Sequence, residues 1–206
     1  GSGIYLTHDP VRGKTGWSYR LSVTMDFNND GVAEEYTAAC TMPEKLKVDS
    51  FNITKKKVGE YTLYSLNISA QDQEDEENYY FGKYSINGVW YQKISKYIAF
   101  NDVSLNGQYV KNLSVWNFND IQDKSKFSDD DAKDMVFLTS GDSMVVEFSN
   151  ISKAYFNFID DCTHQKNGSN PMFGGPPANI STNISNGARG FFTAYAVSEV
   201  GGKAPE

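Results

Sequence analysis

Period-two alternation, cut at short intervals by glycine turns, limits most strongly what this chain can become. Across residues 61–69 one parity reads Tyr61, Leu63, Ser65, Asn67, Ser69 and the other Tyr64, Leu66, Ile68. Successive side chains of a strand point to opposite faces, so this pattern builds one apolar and one polar face. Residues 46–54 alternate likewise through Leu46, Val48, Phe51 and Ile53, with a slip near Ser50 that predicts a bulge. Asn87-Gly88 separates two β-rich segments, 79–86 and 89–100, and is the dipeptide best suited to a two-residue hairpin. Asp30-Gly31, Asn106-Gly107 and Ser140-Gly141-Asp142 punctuate the chain in the same way. Further segments read as strands at 17–25, 35–41, 108–118, 135–139, 143–148 and 190–200.

The period changes once. Ile151, Tyr155, Phe158, Ile159 and Cys162 recur every three to four residues, which predicts one amphipathic helix near 150–165, with Ser149 or Asn150 as N-cap and Gly168 as stop. Residues 71–78, 119–133 and 166–190 read as polar loops, and the tail to Glu206 as frayed. The expectation is an all-β fold: an antiparallel meander of about nine strands plus that helix. A meander buries its apolar faces by closing into a barrel or by folding into two packed sheets. The succession of hairpins favours a barrel-like closure, with a two-sheet β-sandwich as the alternative. The 206 residues make one domain, 1–206, large enough to bury a core without staples.

Charge and hydropathy exclude whole classes. Lys and Arg total 19 against 26 Asp and Glu, a net charge of −7, and no basic stripe appears, so no nucleic acid partner is expected. No apolar run approaches the length of a spanning helix. The aromatic share is 14%, with 13 Tyr and 13 Phe, residues that suit half-buried pleated surfaces.

Candidate sites are few. Cys40 and Cys162 are either two unrelated small apolar residues or one long-range disulfide. Asp26, Asn28 and Asp30, followed by Gly31, match the first half of a calcium loop, with Glu34 or Glu35 as a further ligand. The same residues also make an ordinary hairpin without metal, and no other cofactor is expected. The acidic runs at 72–77 and 129–134 read as solvated loops. His164, four residues after Asp160, reads as a cap at the helix end. No GxSxG, P-loop or dinucleotide fingerprint occurs, so no enzyme is expected. The best ligand-binding candidates are aromatic: Trp90 with Tyr91, Tyr79 with Tyr80, and Trp17 near the first hairpin. Alternation turns one ring of each adjacent pair outward. Seven Asn-x-Ser/Thr triplets, among them those at Asn52, Asn112 and Asn183, read as loop chemistry.

From about residue 36 the chain resembles the Bacteroidetes domain of unknown function 4249 family. The likeness rests on Tyr36-Thr37-Ala38 before Met42-Pro43, and on the acidic turn ending in Asn78-Tyr79-Tyr80. It continues in Ser149-Asn150-Ile151-Ser152 leading to Tyr155-Phe156-Asn157-Phe158, then in Pro176-Pro177-Ala178-Asn179-Ile180, Asn183-Ile184, Asn186-Gly187 and Gly190-Phe191-Phe192. The resemblance implies an outer-membrane lipoprotein of a Bacteroides-like gut bacterium, attached through a lipidated N-terminal Cys. It implies a possible partner, a TonB-dependent outer-membrane receptor, beside whose gene such proteins are often encoded. The family defines no catalytic residues. Its members usually carry an immunoglobulin-like region upstream, of which residues 1–43 would be the remnant. The expected function is a non-enzymatic surface accessory to transport. The alternatives are a small-ligand or glycan-binding module and a glycan hydrolase using an Asp/Glu pair.

Overall fold

A computed structural model describes residues 8–9, 11–26, 30–72, 77–103, 107–167 and 180–206, with 164–167 described by backbone. Among these, eleven strands run in chain order: β1 (Ser18–Met25), β2 (Glu34–Thr41), β3 (Val48–Val58), β4 (Tyr61–Gln71), β5 (Tyr79–Ile86), β6 (Val89–Trp90), β7 (Ile98–Asn101), β8 (Tyr109–Asp120), β9 (Phe137–Leu138), β10 (Ser143–Ile151) and β11 (Ser198–Lys203). Two α-helices join them, α1 (Asp129–Ala132) and α2 (Lys153–Asn167).

The chain is all-β in character, as expected, but the described strands form no closed barrel. The strands divide into a β1–β2 hairpin, a sheet ordered β3-β4-β8-β9, and a sheet ordered β11-β10-β5-β6 in which β7 also pairs with β5. This is the two-sheet alternative. The meander breaks because β4 does not pair with β5, nor β7 with β8; the chain crosses between sheets at both points. β5 pairs instead with β10, from Tyr79↔Ile151 to Ile86↔Met144, across 58 to 72 residues of sequence. A run of local hairpins cannot encode that pairing, whereas the buried faces of β5 and β10 can.

The core lies between the two sheets. Ile53, Tyr64, Leu66 and Ile68 project from one, and Tyr84, Ile98, Val146 and Phe148 from the other. The opposite face of β5 carries Tyr79 and Phe81, which α2 covers with Tyr155, Phe156, Phe158 and Ile159. The molecule is therefore layered sheet, sheet, helix, and Tyr79–Gly82 of β5 are buried on both faces because both are covered there.

The bulge foreseen near Ser50 is present as a register shift between Val48 and Ser50. Asn87 and Gly88 adopt φ of 50° and 80°, the left-handed pair that a type I′ turn requires. Three expectations are corrected. Residues 121–126 form a 3-10 helix and Asp129–Ala132 a short α-helix, because Asp120 and Ser128 cap them by accepting from the amides of Gln122 and Asp131. The last strand is Ser198–Lys203; residues 190–197 instead form an aromatic strap. The tail is tied down, since Ala204 is buried and exchanges hydrogen bonds with Gly141 and Asp142 at 2.9 Å.

Residues 180–197, which include the strap, link the hairpin to the sandwich. The Asn183 amide donates to the carbonyls of Ala39 and Phe192, and the Ser185 amide to the Thr37 carbonyl at 2.8 Å. Farther on, Phe191 packs at 5.3 Å from Tyr155 and 5.4 Å from Phe158.

Candidate functional site

Where the barrel fails to close, a seam opens. β4 occupies one edge of β8, and β9 covers the other edge only at Asn119 and Asp120. Among the described residues no strand pairs with the rest of that edge. A register shift between Leu66 and Asn67 sets Trp116 opposite Leu66, on the core-facing side. With no strand beyond it, the indole remains 37% exposed.

The result is a groove of about 180 Å³ between β8, the 3-10 turn Ile94–Lys96 and the segment before β9. Its apolar part is Tyr84, Trp116, Phe118, Met135 and Val136; its polar part is Ser95, Lys96, Asn117, Asn119 and Asp134. The aromatic floor is closely packed. Phe118 meets Tyr84 edge-on at 5.0 Å and Tyr91 stacks on Tyr84 at 5.1 Å. Burial pushes the Tyr84 hydroxyl far above the usual tyrosine range, so it stays protonated. The Lys96 ammonium donates to the Asp134 carbonyl and ties the two rims together. Asn117 accepts from the Ser65 hydroxyl at 2.5 Å, which fixes its amide. An exposed indole on an open strand edge offers apolar contact next to unpaired main-chain groups, a composition suited to recognition.

The aromatic candidates read from the sequence separate. Tyr91 supports the floor of this groove, and Trp90 is 37% exposed on β6 opposite Ser85. Tyr79 and Tyr80 point to opposite faces as alternation requires, yet neither reaches solvent. Tyr79 lies under α2 against Phe156 at 5.0 Å, and Tyr80 faces the core, its hydroxyl donating to Asp72. The expectation that one ring of this pair faces outward is therefore corrected: α2 covers the outer face. Trp17 is 58% exposed, with the Lys14 ammonium 4.9 Å above its ring.

The calcium-loop residues behave as a turn. The Asp26 carboxylate accepts from the amides of Asp30 at 3.1 Å and Gly31 at 2.9 Å, and Asp30 accepts from Val32 at 2.8 Å. Glu34 opens β2 opposite Met25, and Asn28 lies outside the described residues. Among the described residues no three His, Cys, Asp or Glu side chains converge on one point. Cys40 on β2 and Cys162 on α2 are free thiols, so the disulfide reading is corrected. Burial pushes both thiols up, which keeps them protonated at neutral pH. The His164 side chain lies outside the described residues; of the nearby acids, Asp161 accepts from the Ser181 hydroxyl at 2.7 Å and anchors the strap.

Trp116, Asn117 and Asn119 were not singled out by sequence reasoning. Only the missing neighbour of β8 exposes Trp116, and pairing between distant strands decides that.

Fold and site together define a two-sheet β domain with a helical outer layer and an aromatic seam open to solvent. The chain belongs to the family described as Domain of unknown function (DUF4249), whose model matches residues 1–200, the β1–β2 hairpin included. No curated protein and no solved structure matches it. No helix among the described residues is long and apolar enough to cross a membrane.

Proposed function

We propose that this chain is a non-enzymatic binding domain at the outer membrane, lipid-anchored through its N-terminal side, acting as an accessory to a TonB-dependent receptor. The observation that carries a binding role is the seam: a partly exposed indole on a strand edge with which no described strand pairs. Such an edge offers main-chain donors and acceptors to an extended segment of a partner. The setting rests on the likeness of the family to surface lipoproteins encoded beside such receptors.

The interior argues against two other roles. The cavity beside Asp72 and Asp102 measures about 20 Å³, against the roughly 300 Å³ or more of a ligand chamber. A hydrolase needs two carboxylates across a space that admits a sugar ring; Asp72 and Asp102 line one cavity, but it is too small. A channel of about 450 Å³ between residues 45–48 and the start of β11 is larger than the seam but contains no aromatic ring.

A second reading, a glycan in the seam, is favoured by Trp116 beside Asn117 and Asn119, since a flat indole meets sugar C–H faces and amides meet paired hydroxyls. The test is purification of the full-length lipidated chain from native membranes in mild detergent. A TonB-dependent receptor at near-equal amount, lost in Trp116→Ala, is expected. No receptor with either form would overturn the proposal. Calorimetric oligosaccharide binding that Trp116→Ala abolishes would establish the glycan reading instead.

A further inference from the structure

Asparagine, serine and threonine fill adjoining rows on the outer face of the sheet formed by β3, β4 and β8. The register pairs Thr54 with Ser65 and Ser65 with Asn117, then Asn52 with Asn67 and Asn67 with Ser114. In the next row Ser50 pairs with Ser69, whose hydroxyl accepts from the Asn112 backbone amide at 3.0 Å. Directly opposed residues share a face, and the intervening Ile53, Leu66 and Ile68 fill the core. Every position paired within these rows is therefore an uncharged amide or hydroxyl. A solvent-facing surface ordinarily carries about 25–35% Lys, Arg, Asp and Glu.

The side chains of this face hold one another. The Asn67 amide donates to Asn52 at 3.1 Å and to Thr54 at 3.0 Å, and Asn52 donates across β4 to Asn112 at 2.9 Å. Asn67 and Ser69 are buried, whereas Asn52, Thr54, Asn112 and Ser114 stand exposed. Asn52 keeps a second N–H, and the side-chain N–H groups of Asn112 have no acceptor among the described residues. One row farther along, Tyr109 pairs with Gln71, and alternation from Ser69 to Gln71 sets its ring on the same face. That ring is 53% exposed.

This chemistry selects among ligands. Without Arg or Lys in the rows, nothing there pairs with phosphate, sulfate or carboxylate, and a net charge of −7 repels anionic polymers. Without an aromatic or aliphatic anchor in the rows, the face lacks the desolvated centre on which a protein interface depends. Amides and hydroxyls in fixed positions pair instead with hydroxyls, and an exposed ring beside them meets the C–H face of a sugar. Amides already held by one another lose little freedom on binding.

We propose that the outer face of β3, β4 and β8 binds an uncharged polysaccharide, its hydroxyls on the Asn, Ser and Thr rows and one sugar ring stacked on Tyr109. The site is separate from the seam, since Trp116 pairs with Leu66 on the core-facing side of β8. It requires no receptor.

The test is native electrophoresis of the whole chain through gels containing soluble starch, dextran, mannan or galactomannan, with polygalacturonate as the anionic comparison. At least one neutral polymer is expected to retard the chain, and polygalacturonate is expected not to. Tyr109→Ala and Asn52→Ala, both at exposed positions, should each weaken retention by about twofold to tenfold. Trp17→Ala should keep it, and thermal melting checks that each variant is folded. Titration of the retarding polymer, followed by NMR, should shift the side-chain amide signals of Asn52 and Asn112, a readout that needs no variant. Unchanged mobility in every neutral gel overturns the proposal. So does polygalacturonate retention equal to that of the neutral polymers. Retention lost in Trp116→Ala but intact in Tyr109→Ala and Asn52→Ala also overturns it, by assigning the polymer to the seam.

Discussion

Replacing Phe81 by alanine tests whether α2 and the aromatic strap are integral to the fold. Phe81 is 1% exposed on the outer face of β5. Its ring meets Tyr97 at 5.0 Å, Tyr155 at 5.9 Å and Tyr195 at 5.4 Å, so one side chain touches the turn before β7, the helix and the strap. Truncating a buried Phe to Ala costs about 3–5 kcal/mol, through lost transfer energy and the cavity left behind. Edge-to-face pairs add to the loss, and the three rings belong to separate elements that cannot close on the gap together. A cost near the top of that range, about 4–5 kcal/mol, is expected. In a chain of 206 residues that lowers Tm by roughly 8–20 °C. The urea midpoint should fall by about 1.3–2.5 M, for an m value of roughly 2–3 kcal/mol/M. Urea unfolding followed by tyrosine fluorescence and far-UV dichroism measures both. Trp17→Ala, at a 58% exposed ring, should stay within about 0.5 kcal/mol and serves as the control. A loss below about 2 kcal/mol for Phe81→Ala would mean that the helical layer is not seated on β5, and the three-layer account would fail.

Gly201→Ala would place a Cβ 2.9 Å from the Met144 carbonyl oxygen, so a cost of about 1–3 kcal/mol is expected from β10–β11 distortion, read by urea unfolding. Burial raises the hydroxyls of Tyr80, Tyr84 and Tyr155, so their stabilisation is complete below the unfolded tyrosine pKa of about 10 and is lost as pH rises above it. Absorbance at 295 nm should show these three ionising only with alkaline unfolding, and a smooth titration of every tyrosine in folded protein would contradict the burial. The Lys153 ammonium, 2.8 Å from Glu77, holds that carboxyl below its usual range. This stabilisation exists above the unfolded Glu value of about 4.3 and fades as pH falls through the folded one. Lys153→Met should therefore return the Glu77 titration, followed by NMR, upward, and an unchanged titration would contradict the pairing.

What was legible in the sequence was local. The Asn87-Gly88 turn, the bulge near Ser50 and the helix through Ile151 and Ile159 each follow from a few adjacent residues, and each is present. Closure was not local. Barrel and sandwich share their hairpins, and they differ in whether β8 meets β6 and β7 or leaves them; the second holds because β5 finds β10. The Asn-x-Ser/Thr triplets show the same limit. Those at Asn52, Asn67 and Asn112 lie in β3, β4 and β8 rather than in loops. Their Ile53, Ile68 and Leu113 face inward, while Asn67 donates to Asn52 at 3.1 Å and Asn52 to Asn112 at 2.9 Å across the outer face. Alternation explains the spacing without any loop. For Tyr79 and Tyr80 the pattern gives opposite faces correctly, but only the tertiary position of α2 decides that both are covered. Trp116 is the converse, a ring on the core-facing side left exposed because no described strand pairs with that part of the β8 edge.

Crosslinking from the seam tests the central claim most directly. A photoreactive amino acid replacing Asn119, in the full-length chain displayed on its native membrane, stands at the groove without removing Trp116. The account predicts one adduct whose partner is a TonB-dependent receptor, and none when the same group replaces Trp17 on the distant hairpin. No receptor adduct from the seam, or an equal adduct from both positions, would contradict it.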